Sequence, residues 1–177
     1  MSSLVLLETE RLRLSGWRAD QVDDLLQLHG DPEISRYLTL GGEPWSRDQA
    51  TEAITSWIAL FESQKLGKLR AERKSDGVLV GRAGYSIYPP TGEPELGFAL
   101  FREHQGHGYA TEAAAALRDW LFEATYYDHF IGFADTRNSA SLAVLTRIGM
   151  ERTHVEVFPD GVPCQFHILR KADWHGR

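Results

Sequence analysis

Between Phe101 and Thr111 the chain reads Phe101-Arg102-Glu103-His104-Gln105-Gly106-His107-Gly108-Tyr109-Ala110-Thr111, a turn from an apolar stretch into helical spacing. The first turn of a helix leaves backbone N–H groups without intrahelical partners, and the helix dipole favours an anion there. Gly106 and Gly108 let the chain turn tightly and remove side chains that would keep a phosphate away, while Ala110 keeps the first helical turn open. The chemistry this predicts is capture of a pyrophosphate by main-chain nitrogens. An ordinary loop and cap is the rival for any glycine pair. A dinucleotide fingerprint is a second rival, since Asp135 closes the next apolar strand. Against that rival, Thr111 stands where close helix packing wants Gly or Ala, and too little chain follows Asp135 for the rest of a doubly wound fold.

Downstream, Asn138 and Ser141 lie three residues apart at the start of another run of helical spacing. Asn offers both a donor and an acceptor, so Asn138 can cap the helix or bond an amide-bearing ligand, and the Ser141 hydroxyl can face the same groove. Glu95 opens the short strand Glu95-Leu96-Gly97-Phe98-Ala99-Leu100 directly before the glycine turn. It is a carboxylate able to take a proton or orient a cation, with a solvated side chain as the plainer reading and Glu93 as a competitor. Cys164, the single cysteine, has no His–Asp partner pattern around it and reads as structural. His29, His104, His107, His129, His154, His167 and His175 show no metal-ligand spacing, so no metal is expected.

The elements that must position these groups follow from periodicity. Leu4 to Leu14 ends in an alternating stretch and reads as one strand. Asp20 precedes a helix carrying Val22, Leu25, Leu26 and Leu28, and a short helix follows around Pro32 to Leu38. Ser46 is an N-cap for a helix with Ala50, Ile54, Trp57 and Phe61 on one face. Lys68 to Glu72 and Val78 to Tyr88 form a hairpin through Ser75-Asp76-Gly77. The helix after Gly108 carries Ala113, Ala114, Leu117 and Leu121, then come the buried strand Phe130 to Ala134, a helix over Ser139 to Arg147 stopped at Gly149, and strands Thr153 to Phe158 and Gln165 to Leu169. Trp45 and Tyr85 are expected in the wall of a substrate groove between the early helices and the hairpin, Trp45 being freer to touch substrate than Trp57 and Phe61, which share a helix face.

The chain has 177 residues, 42% hydrophobic and 25% charged, which fits one α/β domain over residues 1–177. A net charge of -6 with scattered basic residues argues against nucleic acid as a partner. One cysteine excludes an internal disulfide. The start Met1 to Leu7 reaches Glu8 too soon for a signal peptide, and no apolar run is long enough to span a bilayer, so no membrane partner and a cytoplasmic location are expected.

Gln105-Gly106-His107-Gly108-Tyr109-Ala110 resembles the Gln/Arg-x-x-Gly-x-Gly/Ala signature of the GCN5-related N-acetyltransferase (GNAT) superfamily, and Gln105 to Ala113 is similar to its ribosomal-protein N-terminal acetyltransferase branch. The Asn138-x-x-Ser141 helix ending in Ile148-Gly149-Met150 resembles the second motif, and Leu7 to Leu14, Asp31 to Leu38 and Trp174 extend the likeness over nearly the whole chain. Tyr126 to Phe130 departs from the Gly-Leu-basic pattern of relatives, at the entry to a strand.

The resemblance implies an acyl-CoA N-acyltransferase fold, a mixed, mostly antiparallel twisted sheet with helices on both faces. It implies acetyl-coenzyme A as cosubstrate, held at its pyrophosphate by the backbone of Gln105, Gly106, His107, Gly108, Tyr109, Ala110 and Thr111. Pantetheine would lie along Phe98, Ala99 and Leu100 as an added strand and meet Asn138. Ser141 would protonate the leaving thiolate and Glu95 would act as base or amine-orienting group. A backbone N–H freed by a bulge among Phe98 to Leu100 would hold the oxyanion. The expected acceptor is a primary amine, foremost a protein N-terminus. A small amine (polyamine, amino acid or aminoglycoside) and a non-catalytic acyl-CoA sensor are the alternatives, in a monomer or homodimer.

Overall fold

Alternation of side chains sets the strands. In Gly67–Arg73 (β3) and Leu79–Tyr88 (β4), Leu69, Ala71, Ala83 and Tyr85 enter the main hydrophobic core, while Lys68, Arg70 and Arg82 occupy the opposite face at the intervening positions. The computed structural model describes residues 4–38 and 40–175. It joins these strands with Val5–Glu8 (β1), Leu12–Ser15 (β2), Glu93–Leu100 (β5), His129–Asp135 (β6), Glu151–Val157 (β7) and Pro163–Arg170 (β8). The sheet has eight strands in the order β1-β2-β3-β4-β5-β6-β8-β7.

Every neighbouring pair is antiparallel except β5 and β6. Those two are parallel and pair only at Glu95↔Ile131 and Leu96↔Gly132. Beyond these residues the strands part, although β5 runs on to Leu100 and β6 to Asp135. The sheet therefore opens in its middle, and backbone groups on the β6-facing edge of Gly97 to Leu100 have no strand partner there.

Helices cover both faces. Val22–His29 (α1) and Arg47–Gln64 (α3) lie over the face that carries Lys68, Arg70 and Arg82. The short Pro32–Ser35 (α2) follows α1, with Asp31 accepting from the Glu33 N–H as its cap. Tyr109–Ala124 (α4) and Ser139–Arg147 (α5) cover the other face, where Leu117, Leu121, Phe122, Val144 and Leu145 pack with Leu12, Leu69, Tyr85 and Phe130. Leu121 is fully buried at the centre of that layer, so Leu121→Ala is expected to remove about 2–5 kcal/mol.

Local chemistry explains where the elements begin. Ser46 accepts from the Gln49 N–H at 3.2 Å and its own N–H donates to Gln49 Oε1 at 2.9 Å, a reciprocal cap that starts α3. The single strand expected over Leu4 to Leu14 is instead two strands, β1 and β2. Thr9 turns the chain between them by donating its N–H to the Leu12 carbonyl and accepting the Leu12 N–H at its hydroxyl. The apolar run of β1, in which Leu6 and Leu7 both pack on the core, and the alternation of β2, with Leu12 and Leu14 buried, each read as strand and so gave no sign of the break. Among the described residues no helix is long and apolar enough to cross a membrane.

Candidate active site

The glycine turn is built as an anion cradle. Gly106 and Gly108 sit at φ +80° and +82°, backbone that favours glycine, and Gly108 is the N-cap of α4. Without a side-chain cap, the first N–H groups of α4 keep their bonding capacity for a ligand. Arg11 braces the turn: its Nη1 donates to the His107 carbonyl at 2.9 Å, its Nε to Glu112 Oε1 at 2.7 Å, and its guanidinium lies 4.4 Å from the Tyr109 ring centre. Glu112 also accepts from the Thr9 hydroxyl and the Arg11 N–H, which ties the β1–β2 turn to the first turn of α4.

A cavity of about 730 Å³ runs from this turn along the open edge of β5. Phe98, Ala99, Leu100, Gln105, Gly106, Gly108, Tyr109, Ala110 and Thr111 line it on one side, and α5 lines it on the other. The Gln105 side chain donates to the Leu100 carbonyl at 3.1 Å and so fixes the turn against the strand. Arg36, Arg102, Arg137 and Arg147 also line this cavity, giving it a cationic rim suited to phosphates.

A second cavity of about 800 Å³ lies on the α1–α3 side. The two share Phe98, Asn138 and Ser141, together with Arg36, Tyr37, Leu38 and Arg137. At this junction Asn138 Oδ1 accepts from the Ser141 N–H at 3.3 Å, capping α5, while its Nδ2 donates to Ser141 Oγ at 3.0 Å. The Ser141 oxygen is thus used as an acceptor, which leaves its own proton available for a third group.

Charges concentrate on the floor of the second cavity. Lys68 Nζ donates to Glu95 Oε2 at 2.9 Å and to the carbonyls of Glu95 and Gly84 at 3.2 and 3.3 Å. The approach requires Gly97, because a Cβ there would stand 2.5 Å from Lys68 Nζ. Burial pulls the Lys68 pKa down, against the pull of Glu95. Arg82 Nε donates to His29 Nε2 at 3.1 Å, and burial with the charge of Arg82 pushes His29 down to about 2, so His29 is neutral. Trp45 stacks on His29 at 3.8 Å and lines the same cavity. Cys164 lines it too, but burial, with the nearby carboxylates of Asp135, Asp160 and Glu156, raises its thiol to about 11 and keeps it protonated.

The family model for the acetyltransferase (GNAT) domain matches residues 11–151. The chain belongs to the GNAT acetyltransferases. It is similar to the FsC-acetyl coenzyme A-N(2)-transacetylase of Aspergillus fumigatus, 29% identical over 160 residues that make up 86% of this chain and 66% of that protein. Among solved structures, an acetyltransferase from Agrobacterium tumefaciens shares the fold with TM-score 0.79 and 26% identity, over 96% of each chain. RimL, the ribosomal L7/L12 alpha-N-protein acetyltransferase solved in complex with coenzyme A, has the same fold at TM-score 0.78 and 17% identity, over 96% of this chain and 100% of that one. Acetyl-coenzyme A is the donor of the GNAT family, and the chain is an N-acetyltransferase.

Two site expectations for this GNAT domain are corrected by the geometry. Tyr85, expected in the substrate groove, is 1% exposed in the core beneath α4, edge-on to Phe130 at 5.5 Å. Its place in β4 puts it on the face opposite Arg82, so it cannot line a cavity on the α1–α3 side. The bulge expected in β5 is absent: its register against β4 runs unbroken from Tyr88↔Glu93 to Gly81↔Leu100. The free backbone groups arise from the parting of β5 and β6 instead. Glu93, the competitor of Glu95, is occupied at 2.6 Å by His129 Nε2 and lines neither cavity.

The sequence reading missed Arg11, Tyr37, Lys68, Arg82 and the arginine rim. A signal for Lys68 and Arg82 was present, because the two-residue period that sends Leu69 and Ala83 into the core sends these cations to the covered opposite face. Among the described residues no cluster of three or more His, Cys, Asp or Glu is arranged to hold a metal ion.

Proposed function

We propose that this GNAT domain transfers acetyl from acetyl-coenzyme A directly to a protein N-terminal amino group, with donor and acceptor bound together. The observation that carries the reading is the meeting of two cavities at Phe98, Asn138 and Ser141, one reaching the glycine turn and the other reaching Glu95. The pyrophosphate is held by the N–H groups of Gln105 to Thr111, the arginine rim takes the remaining phosphate charge, and pantetheine lies against Phe98, Ala99, Leu100 and Asn138. The amine enters past Trp45 toward Glu95.

The amine nitrogen attacks the thioester carbonyl, a main-chain N–H on the open edge of β5 stabilises the oxyanion, and the C–S bond then breaks. The amine proton passes to Glu95 and from there to solvent, and Ser141 gives its proton to the departing thiolate while taking one back from solvent, so that both groups are restored. Lys68 holds one oxygen of Glu95 in place and leaves the other for the amine. A GNAT neighbour that acetylates a protein N-terminus supports the acceptor class, as does a cavity roomy enough for the first residues of a peptide. A second reading has a small amine as the acceptor, and the FsC-acetyl coenzyme A-N(2)-transacetylase, whose name gives an N(2) nitrogen and no protein N-terminus, is the relative that favours it.

A thiol-release assay over peptides with free N-termini, the same peptides N-acetylated, and a panel of polyamines, amino acids and aminoglycosides separates the two. Turnover of free peptides alone is the expected result, and turnover confined to small amines would overturn the N-terminal assignment.

A further inference from the structure

The three cations on the covered face of β3 and β4 are not equally satisfied. Arg70 is paired with Asp24 at 2.7 Å and Glu72 at 3.4 Å. Lys68 uses all three of its donors on Glu95 and two carbonyls. Arg82, only 6% exposed, has a single hydrogen bond, and that goes to neutral His29. Among the described residues its Nη1 and Nη2 have no hydrogen-bond partner, and neither is sealed off as a buried unsatisfied atom. The Trp57 ring, 5.5 Å from the guanidinium, walls it on one side, and the acceptor cavity is where its free edge leads.

Among the described residues no carboxylate is bonded to Arg82 itself. Glu95, whose charge acts on it, is engaged by Lys68, and Asp24 and Glu72 are engaged by Arg70. The other carboxylates lining the cavity are committed or exposed: Asp135 is bonded to Arg137, Asp160 accepts the Gly41 and Val162 N–H groups, and Glu52 lies exposed on α3. The two terminal nitrogens of Arg82 thus keep four N–H donors without a protein partner among the described residues, an anion reaching them from the cavity would complete them, and the planar fork of arginine suits a carboxylate.

We infer that Arg82 is an anion-binding residue of the acceptor site, and that the acceptor carries a carboxylate close to its amine. The carboxylate meets Arg82 while the amine faces Glu95, so the pair reads both ends of one short zwitterionic group. Two sources present this chemistry: the α-carboxylate of a free amino acid, or an acidic side chain at the start of a peptide. The inference rests on the acetyl-transfer reading of the same cavity.

The test pairs binding with turnover. With coenzyme A present, quenching of tryptophan fluorescence is followed on titration with N-acetylglycine and with N-acetylglycinamide, and thiol release is measured with matched acceptors. Those are glycine against glycinamide, and C-terminally amidated peptides beginning with aspartate or glutamate against asparagine or glutamine. Wild type is expected to prefer the carboxylate at least about tenfold, which corresponds to ~1.4 kcal/mol, in binding and in kcat/KM for one of the two sources. Arg82→Met is expected to abolish the preference without lowering the melting temperature, and Arg82→Lys to restore part of it.

Equal binding of N-acetylglycine and its amide by wild type together with equal turnover of the acidic peptides and their asparagine or glutamine partners, or a preference that survives in Arg82→Met, would overturn the inference. Carboxylate-selective quenching that depends on Arg82, without turnover of any acceptor, would leave the anion subsite standing and sink the transfer reading of the cavity.

Discussion

The two cavities that meet at Asn138 and Ser141 are made of different materials. On the coenzyme side the essential donors are backbone N–H groups from one continuous stretch, Gln105 to Thr111, backed by a strand edge that Leu96 and Gly132 release when β5 and β6 part. On the acceptor side the chemistry belongs to side chains from β3, β4, β5, α1 and α3, and its fixed points are ion pairs and a buried arginine. Main-chain binding tolerates sequence change as long as the glycine conformations survive. Side-chain binding can be retuned by one substitution, which is how a single fold can keep its donor and change its acceptor.

Substitutions should therefore separate the two sides. Glu95→Gln is expected to lower turnover on the identified acceptor by about 10²-fold or more, since proton transfer is lost, with coenzyme affinity unchanged by calorimetry. Glutamine still accepts from Lys68, so the melting temperature should hold. Turnover within twofold of wild type would remove Glu95 from the mechanism. Gly108→Val forces a β-branched residue to φ +82° and should weaken coenzyme binding by about 5- to 150-fold, the equivalent of roughly 1–3 kcal/mol of backbone strain. The variant's acceptor preference should be intact, and a changed preference would break the separation of the two sides.

A third test concerns the acceptor floor alone. His29 has its pKa held near 2 in the fold by burial and by Arg82, against about 6.5 when unfolded. Above pH 6.5 it is neutral in both states. As pH falls below that, the unfolded chain takes up a proton that the folded chain refuses, and stability drops by about 1.4 kcal/mol per pH unit from this group. His29→Gln, which keeps an acceptor for Arg82, should flatten the loss between pH 7 and 5 in denaturant unfolding. An unchanged slope would mean that His29 is not sealed in as the geometry shows. The smallest effect is expected at the coenzyme rim, where Arg147 is exposed and Arg147→Ala should weaken coenzyme binding about two- to fivefold, less at high salt.

How far the sequence could be read follows the same division. The glycine turn, the α5 cap and the order of strands and helices were legible because each depends on neighbours in the chain: Gly106 and Gly108 on their own backbone, Asn138 on Ser141, Ser46 on Gln49. The break at Thr9 was hidden because the apolar run of β1 and the alternation of β2 each read as strand. Tyr85 was misplaced because an aromatic ring in a hairpin carries no mark of which face it takes until its register against Leu96 and its packing on Phe130 are known. Arg11, Lys68 and Arg82 act on partners far away in the chain, Glu112, Glu95 and His29, and only the folded sheet brings them together.

Central to all of this is a pyrophosphate held by main chain at the start of α4. A crystal structure of the protein with coenzyme A should place pyrophosphate oxygens within about 3.2 Å of N–H groups between Gly106 and Thr111, with pantetheine along Phe98 to Leu100. A coenzyme whose phosphates are gripped by arginine side chains elsewhere, leaving that helix end to solvent, would contradict the account.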